Sequence, residues 1–130
     1  MRIGQAAVAS GVSQRMIRHY ETIGLMPAAA RRDSGYRDYD ERDLHTLRFI
    51  GRARDLGFPI EEIRQLLALW GDKHRSSADV KAIALARAGE LKERIEVLEQ
   101  MRQSLQHLAE SCHGDARPDC PIITQLESDD

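Results

Sequence analysis

The sequence is poor in cysteine and aromatics, and its first half has no lysine. Only two cysteines occur in 130 residues, Cys112 and Cys120. Two thiols are too few for a self-contained tetrahedral structural zinc site, which takes four ligands. No apolar run approaches the roughly 20 residues needed to span a bilayer, so no membrane partner is expected. The start, Met1-Arg2-Ile3-Gly4-Gln5, lacks the apolar core of a secretory signal. A cytoplasmic chain is therefore expected, where a lasting disulfide is disfavoured. Residues 1–57 carry ten Arg, no Lys and seven acids, a net +3, while residues 58–130 carry nine basic and fourteen acidic residues, a net −5. That asymmetry points to a nucleic-acid-facing head and a solvated, acidic back. The length allows one or two small domains and no large enzyme. Charged residues at 31% against aromatics at 5% fit a helix-rich, surface-heavy protein.

What is present reads as helices with marked ends. Gln5–Ser10 is rich in helix formers and stops at Gly11, since glycine tolerates the left-handed backbone of a helix end. Ser13 is a good N-cap for a second helix. In that helix Met16, Ile17 and Tyr20 supply an apolar side, and Arg15, Arg18 and His19 lie on another face. A short helix, a glycine turn and a helix with an outward arginine stripe form a helix-turn-helix pattern. Residues 26–40 then change character. Ser34-Gly35 sits between two short arms carrying Arg31, Arg32, Tyr36 and Arg37, as expected of a basic hairpin, or wing. Arginine matches phosphate with two parallel hydrogen bonds, and tyrosine hydroxyls also bind it. Asp40 caps a third helix whose apolar stripe is Leu44, Leu47, Ile50, Ala53 and Leu56. Gly57 ends it. Pro59 suits the first position of a fourth helix through Ile60, Ile63, Leu66, Leu67 and Trp70. Trp70 is expected to pack in the core.

Residues 71–76 are a polar connector, so a head is expected over 1–71. Ser76 with Asp79 resembles a capping box. A pattern without proline runs to about Ala109, and thirty such residues span about 45 Å. Ala84, Leu91, Leu98 and Leu105 repeat every seven; Val80, Met101 and Leu108 share the neighbouring heptad position, and Arg87 and Arg94 interrupt it. This is an imperfect coiled-coil seam over 76–110 with no second long helix in the chain to cover it. A homodimer is expected, parallel or antiparallel. Over 111–130 Cys112 follows the long helix, Gly114 breaks it, and Pro121 puts Cys120 at the N-cap of a short helix to Leu126. Exposed amides there favour thiolate. Soft thiolates select Cu(I). A three-ligand zinc site using His113, a disulfide switch and a small metal carrier remain open at this point.

Ile3-Gly-Gln-Ala-Ala-x-x-Ser-Gly-Val-Ser, Met16-Ile-Arg-x-Tyr-Glu-x-x-Gly-Leu25, Gly35-Tyr-Arg-x-Tyr39 and Arg52-Ala-Arg-Asp-Leu-Gly-Phe58 together resemble the MerR family of transcriptional regulators. Ser77-Ala-Asp-Val-Lys81 and Cys112-x-Gly-Asp-x-x-x-Asp-Cys-Pro-Ile122 are similar to its copper-responsive branch. The resemblance implies a mainly α protein: a winged helix-turn-helix domain, an antiparallel coiled-coil dimer and a C-terminal metal loop. It implies that Arg15, Arg18 and Tyr20 contact the major groove of promoter DNA, and that Arg31, Tyr36, Arg37 and Arg54 hold phosphates. It implies that Cys112 and Cys120 bind Cu(I), with Ag(I) or Au(I) as alternatives. Ser77 of the dimer partner would stand where divalent-metal branches carry a third cysteine, and Lys81 would offset the anionic site. RNA polymerase at the promoter is the further partner, engaged once metal-induced DNA distortion aligns its two boxes. His113 departs from the small residue or proline of that branch.

Overall fold

The computed structural model describes residues 1–27 and 35–128, together with the backbone of residues 30 and 31. Its elements are α1 (Ile3–Ser10), α2 (Gln14–Thr22), β1 (Ala30–Arg31), β2 (Arg37–Asp38), α3 (Glu41–Asp55), α4 (Ile60–Gly71), α5 (Ser77–Glu110) and α6 (Pro121–Glu127). They fall into two compact units, Met1–Ile83 and Ala84–Asp130.

In the first unit, α1 packs on α2 and α3, and α3 on α4. The ends form where local chemistry calls for them. Gly11 takes φ +75° and Gly57 φ +82°, a region glycine enters without strain. Ser13 Oγ accepts from the Met16 amide at 3.2 Å. Asp40 and Asp43 close a reciprocal box at 3.0 Å in each direction, each side chain accepting from the other's amide. Pro59 sits one residue ahead of its expected place, as the residue that caps α4. The inward faces of the helices meet in one core of Ala6, Ile17, Tyr20, Leu44, Leu47, Ile50 and Ile63, closed by Met26 and Tyr39. Two arginines lock the helix-turn-helix from behind. Arg48 donates twice to the Ala9 carbonyl (3.3 and 3.2 Å), and Arg64 donates to the carbonyls of Gly24 (3.2 Å) and Ile23 (3.3 Å). Each fork satisfies carbonyls that a helix end leaves without partners.

Strands β1 and β2 pair antiparallel, Ala30 opposite Asp38 and Arg31 opposite Arg37. The expected hairpin is therefore present; of its Ser34-Gly35 tip, Gly35 is described at φ +85° and Ser34 lies outside the described residues, as do Arg32 and the Arg31 side chain. Trp70 corrects the sequence reading. It is 43% exposed and stacks on Phe49 with ring centroids 4.5 Å apart and planes within 4°. It ends the α4 stripe with one face on Phe49 of α3 and the rest open, so it lies against the core's edge.

The 34 residues of α5 span about 51 Å at 1.5 Å each. Ser76 caps it through the Ala78 amide (3.2 Å). Ile83, in its early turns, packs against the core of the first unit. In the second unit Leu91, Ile95, Leu98, Met101 and Leu105 are all exposed. A seven-residue helix, α6, follows the loop, with Pro121 at its first position and Cys120 capping it.

Candidate nucleic-acid interface and metal centre

Helix α2 has two faces of opposite character. Ile17 and Tyr20 turn inward, at 0% and 3% exposure. Gln14, Arg15, Arg18, His19 and Thr22 recur on the other side, and all are exposed. Arg15 and Arg18 are therefore presented outward. Tyr20 is turned into the core, on the apolar side where the helical period puts it, and its burial speaks against the DNA contact expected of it. His19, on the exposed face between Arg18 and the core, is the aromatic that projects outward from α2.

The wing is anchored to α2 by a buried acid. Glu21, 3% exposed at its side chain, accepts from Arg37 Nη1 at 2.5 Å and from the Tyr39 hydroxyl. Burial first, then that hydrogen bond to Glu21, raise the Tyr39 hydroxyl above its ordinary pKa. Arg37 is thus half committed: one nitrogen neutralises Glu21 while 35% of the side chain stays exposed. Tyr36 is half exposed, and the Arg2 guanidinium lies over its ring, 3.9 Å from the centroid. Arg18, Thr22, Gly35, Tyr36 and Arg37 line one notch with Arg2 and Ile3, about 540 Å³ in volume. Three of the expected DNA-binding residues converge there. Arg15 and Arg54 are exposed but stand outside it. Arg2 was missed because a residue ahead of the first helix has no periodicity to mark its face.

In the second unit, the last turn of α5 runs on into Cys112, whose amide donates to the Ala109 carbonyl (3.2 Å). Gly114 takes φ +68° and turns the chain. Asp115 clamps the loop through the Arg117 amide (2.9 Å) and guanidinium (2.8 Å). Cys120 is brought back so that the two sulfurs stand 3.7 Å apart, both half-buried and neither in a disulfide. The amides of Ile123 and Ile122 at the start of α6, followed by the contact with Cys112, hold the Cys120 thiol below its usual pKa. An S–S bond requires about 2.05 Å. At 3.7 Å the pair is not bonded, and its two sulfurs are close enough that one soft ion could be held by both. The donor set fits a soft, low-coordinate cation. His113 is exposed, and among the described residues no three His, Cys, Asp or Glu side chains are grouped to hold a metal. Ser77 and Lys81 are exposed in the first turns of α5.

The chain matches two family profiles: "MerR HTH family regulatory protein" over residues 1–69 and "MerR, DNA binding" over residues 44–108. It is 56% identical over 126 residues to the heavy metal-dependent transcription regulator 2 of Rhizobium meliloti (strain 1021), covering 97% of this chain and 86% of the relative. It is 42% identical over 126 residues to the HTH-type transcriptional regulator CueR of Yersinia pestis, covering 97% of this chain and 91% of the relative. Among solved structures, the transcription regulator PbrR691 from Ralstonia metallidurans CH34, in complex with lead(II), superposes with a TM-score of 0.82 at 32% identity, over 97% of this chain and 98% of that one.

Proposed function

Because this chain belongs to the MerR family of helix-turn-helix regulators, DNA-binding transcription regulators and not enzymes, we propose that it is a cytoplasmic, Cu(I)-sensing activator of copper-tolerance genes. In this reading it binds promoter DNA as an antiparallel homodimer. Relatives named as heavy metal-dependent regulators, and CueR at 42% identity, support metal response and the copper branch. No helix among the described residues is long and apolar enough to cross a membrane.

The observation that carries the choice of ion is the thiol pair: two sulfurs at 3.7 Å, with no third His, Cys, Asp or Glu grouped with them among the described residues of the chain. PbrR691 was solved with lead(II), so the fold also serves a divalent ion. In this reading the distinction rests on Ser77, which by the family resemblance would stand, in the dimer partner, where divalent-metal branches carry a third thiol. A hydroxyl is a poor ligand for soft ions, leaving a two-thiolate site suited to Cu(I), Ag(I) or Au(I). Cys112 and Cys120 hold the ion, and a bound ion supplies a cross-link between the end of α5 and the start of α6. Through that link the loop favours one dimer conformer over another, a population shift. That conformer distorts the promoter so that RNA polymerase can engage both boxes. Such deformation costs on the order of several kcal/mol, which differential metal affinity must offset.

The test is an in vitro transcription profile from the cognate promoter under buffered Cu(I), Ag(I), Au(I), Zn(II), Pb(II) and Hg(II). Monovalent ions are expected to activate and divalent ions not. Cys112→Ser or Cys120→Ser should keep DNA binding and lose induction, and Ser77→Cys should admit divalent ions. Activation by a thiol oxidant without metal would replace this reading with a redox switch.

A further inference from the structure

We propose that the notch between the start of α1, helix α2 and the wing is a seat for a DNA backbone phosphate, with Arg2 as its principal donor. The inference rests on the DNA-binding reading and adds to it a residue and a place.

Three observations converge. First, the notch is lined by the arginines Arg2, Arg18 and Arg37, together with Thr22 and Tyr36, although the Thr22 hydroxyl already donates to the Arg18 carbonyl at 2.8 Å. Its anion-binding donors come from three separate elements. Second, the charges are not equally free. Arg37 is paired with buried Glu21, whereas Arg2 and Arg18 have no carboxylate partner among the described residues. The notch therefore holds two uncompensated positive charges, of which Arg18 also belongs to the groove-facing side of α2. Third, Arg2 is held in place. Met1 and Tyr39 exchange backbone hydrogen bonds of 2.8 Å in each direction, which lays Arg2 against the wing. Gln5 Oε1 accepts from the Arg2 amide at 3.1 Å. The guanidinium then stacks on Tyr36 at 3.9 Å, a contact through its face that does not use its N–H donors. A planar fork pre-set in this way matches two oxygens of a phosphodiester.

A wing contact and a helix contact separated by a void would each grip the backbone alone. A phosphate seated between them would join both, so the wing and α2 would bind as one surface. This contact carries no sequence information, so it is measurable on any duplex.

The experiment uses the full chain and a 30-base-pair random-sequence duplex, with affinity measured from 0.1 to 1 M salt. Arg2→Gln is expected to lower the slope of log K against log salt by about 0.9 for each protomer seated, which is about eightfold weaker binding at 0.1 M relative to 1 M. Arg2→Lys should restore most of the slope, and Arg102→Gln, on exposed α5 and paired with Glu99, should leave it unchanged. A slope equal to wild type in Arg2→Gln, with wild type binding the duplex, would overturn the phosphate seat alone. Failure of wild type to bind duplex DNA at any salt would overturn the DNA-binding reading and this inference with it.

Discussion

Replacing Glu21 with glutamine is expected to weaken the head and, at the same time, to make its DNA binding more sensitive to salt. The substitution keeps the shape but turns one of the two accepting oxygens into an NH2 donor, and it removes a charge whose side chain is only 3% exposed. What it breaks is a charge-assisted bond of 2.5 Å to Arg37 Nη1 and the acceptor of the Tyr39 hydroxyl. Breaking a fully buried pair costs about 3–5 kcal/mol. An exposed pair is worth about 0–1 kcal/mol. Arg37 is 35% exposed, so water recovers part of its solvation, and a loss of about 2 kcal/mol lies between the two limits. For a head of this size that is a melting shift of about 10 °C. Trp70, the single tryptophan, lies in α4 stacked on Phe49, so its fluorescence follows the unfolding of the head. With Glu21 neutral, the wing notch gains one uncompensated charge, and the salt slope on random duplex should steepen by up to about 0.9 per protomer. A variant that melts within about 2 °C of wild type would refute the energetic argument. A lower stability with an unchanged slope would show that Arg37 is a pure strut with no reach to phosphate.

Two further outcomes test neighbouring residues. Tyr39 has a hydroxyl pKa raised above its ordinary value, by burial first and by Glu21 second; its protonated form therefore stabilises the fold. That contribution is complete below the unfolded value of about 10 and is lost as pH climbs through the folded value. Tyr39→Phe should flatten the fall in stability above about pH 10 in urea titrations, and an unaltered fall would count against the network. Tyr20→Phe should leave DNA affinity unchanged, whereas Tyr20→Ala should lose about 3–5 kcal/mol of stability; a tenfold weaker complex for Tyr20→Phe at normal stability would restore Tyr20 as a contact.

The residues that were legible in the sequence are those whose role is set within a few positions along the chain. Ser13 and Asp40 mark helix starts because the orphan amides they serve lie next to them, and Pro121 marks one because its missing N–H costs nothing at a first helical position. Gly11 and Gly57 mark ends because their φ is a local requirement. The inward face of α2 followed from period alone, and Tyr20 lies on it as that period places it. Glu21 was illegible. It is an acid in the last turns of an amphipathic helix, and its partner arrives sixteen residues later on β2. Trp70 continued an apolar stripe in register; only the packing of α3 on α4 decides that the stripe outruns the core. The approach of the two sulfurs was legible in kind and not in degree, since their separation depends on how Gly114, Pro118 and the Asp115–Arg117 clamp close the loop.

The electrostatics of that loop bear on the proposed dimer. Two thiolates around a monovalent cation leave one negative charge in a half-buried site. The nearest charges on the loop worsen this, because Asp119 adjoins Cys120 and the single arginine, Arg117, is already spent on Asp115 at 2.8 Å. The described part of the loop therefore contains no unpaired cation that could offset the bound state. Lys81, in the first turns of α5, is a candidate, but Cys112 follows the last turn of the same 34-residue helix. Along one helix of about 51 Å, the two stand at opposite ends. An antiparallel pairing of the exposed Leu91–Leu98–Leu105 stripe with its copy would bring the start of one α5 beside the end of the other. Lys81 and Ser77 would then reach the thiols across the dimer, so the same pairing that covers the stripe would also supply the missing charge. On that reasoning, Lys81→Glu should weaken Cu(I) retention without altering DNA binding in the absence of metal. Equal retention in competition with a Cu(I) chelator would separate dimerisation from charge compensation and leave Lys81 without a part in the site.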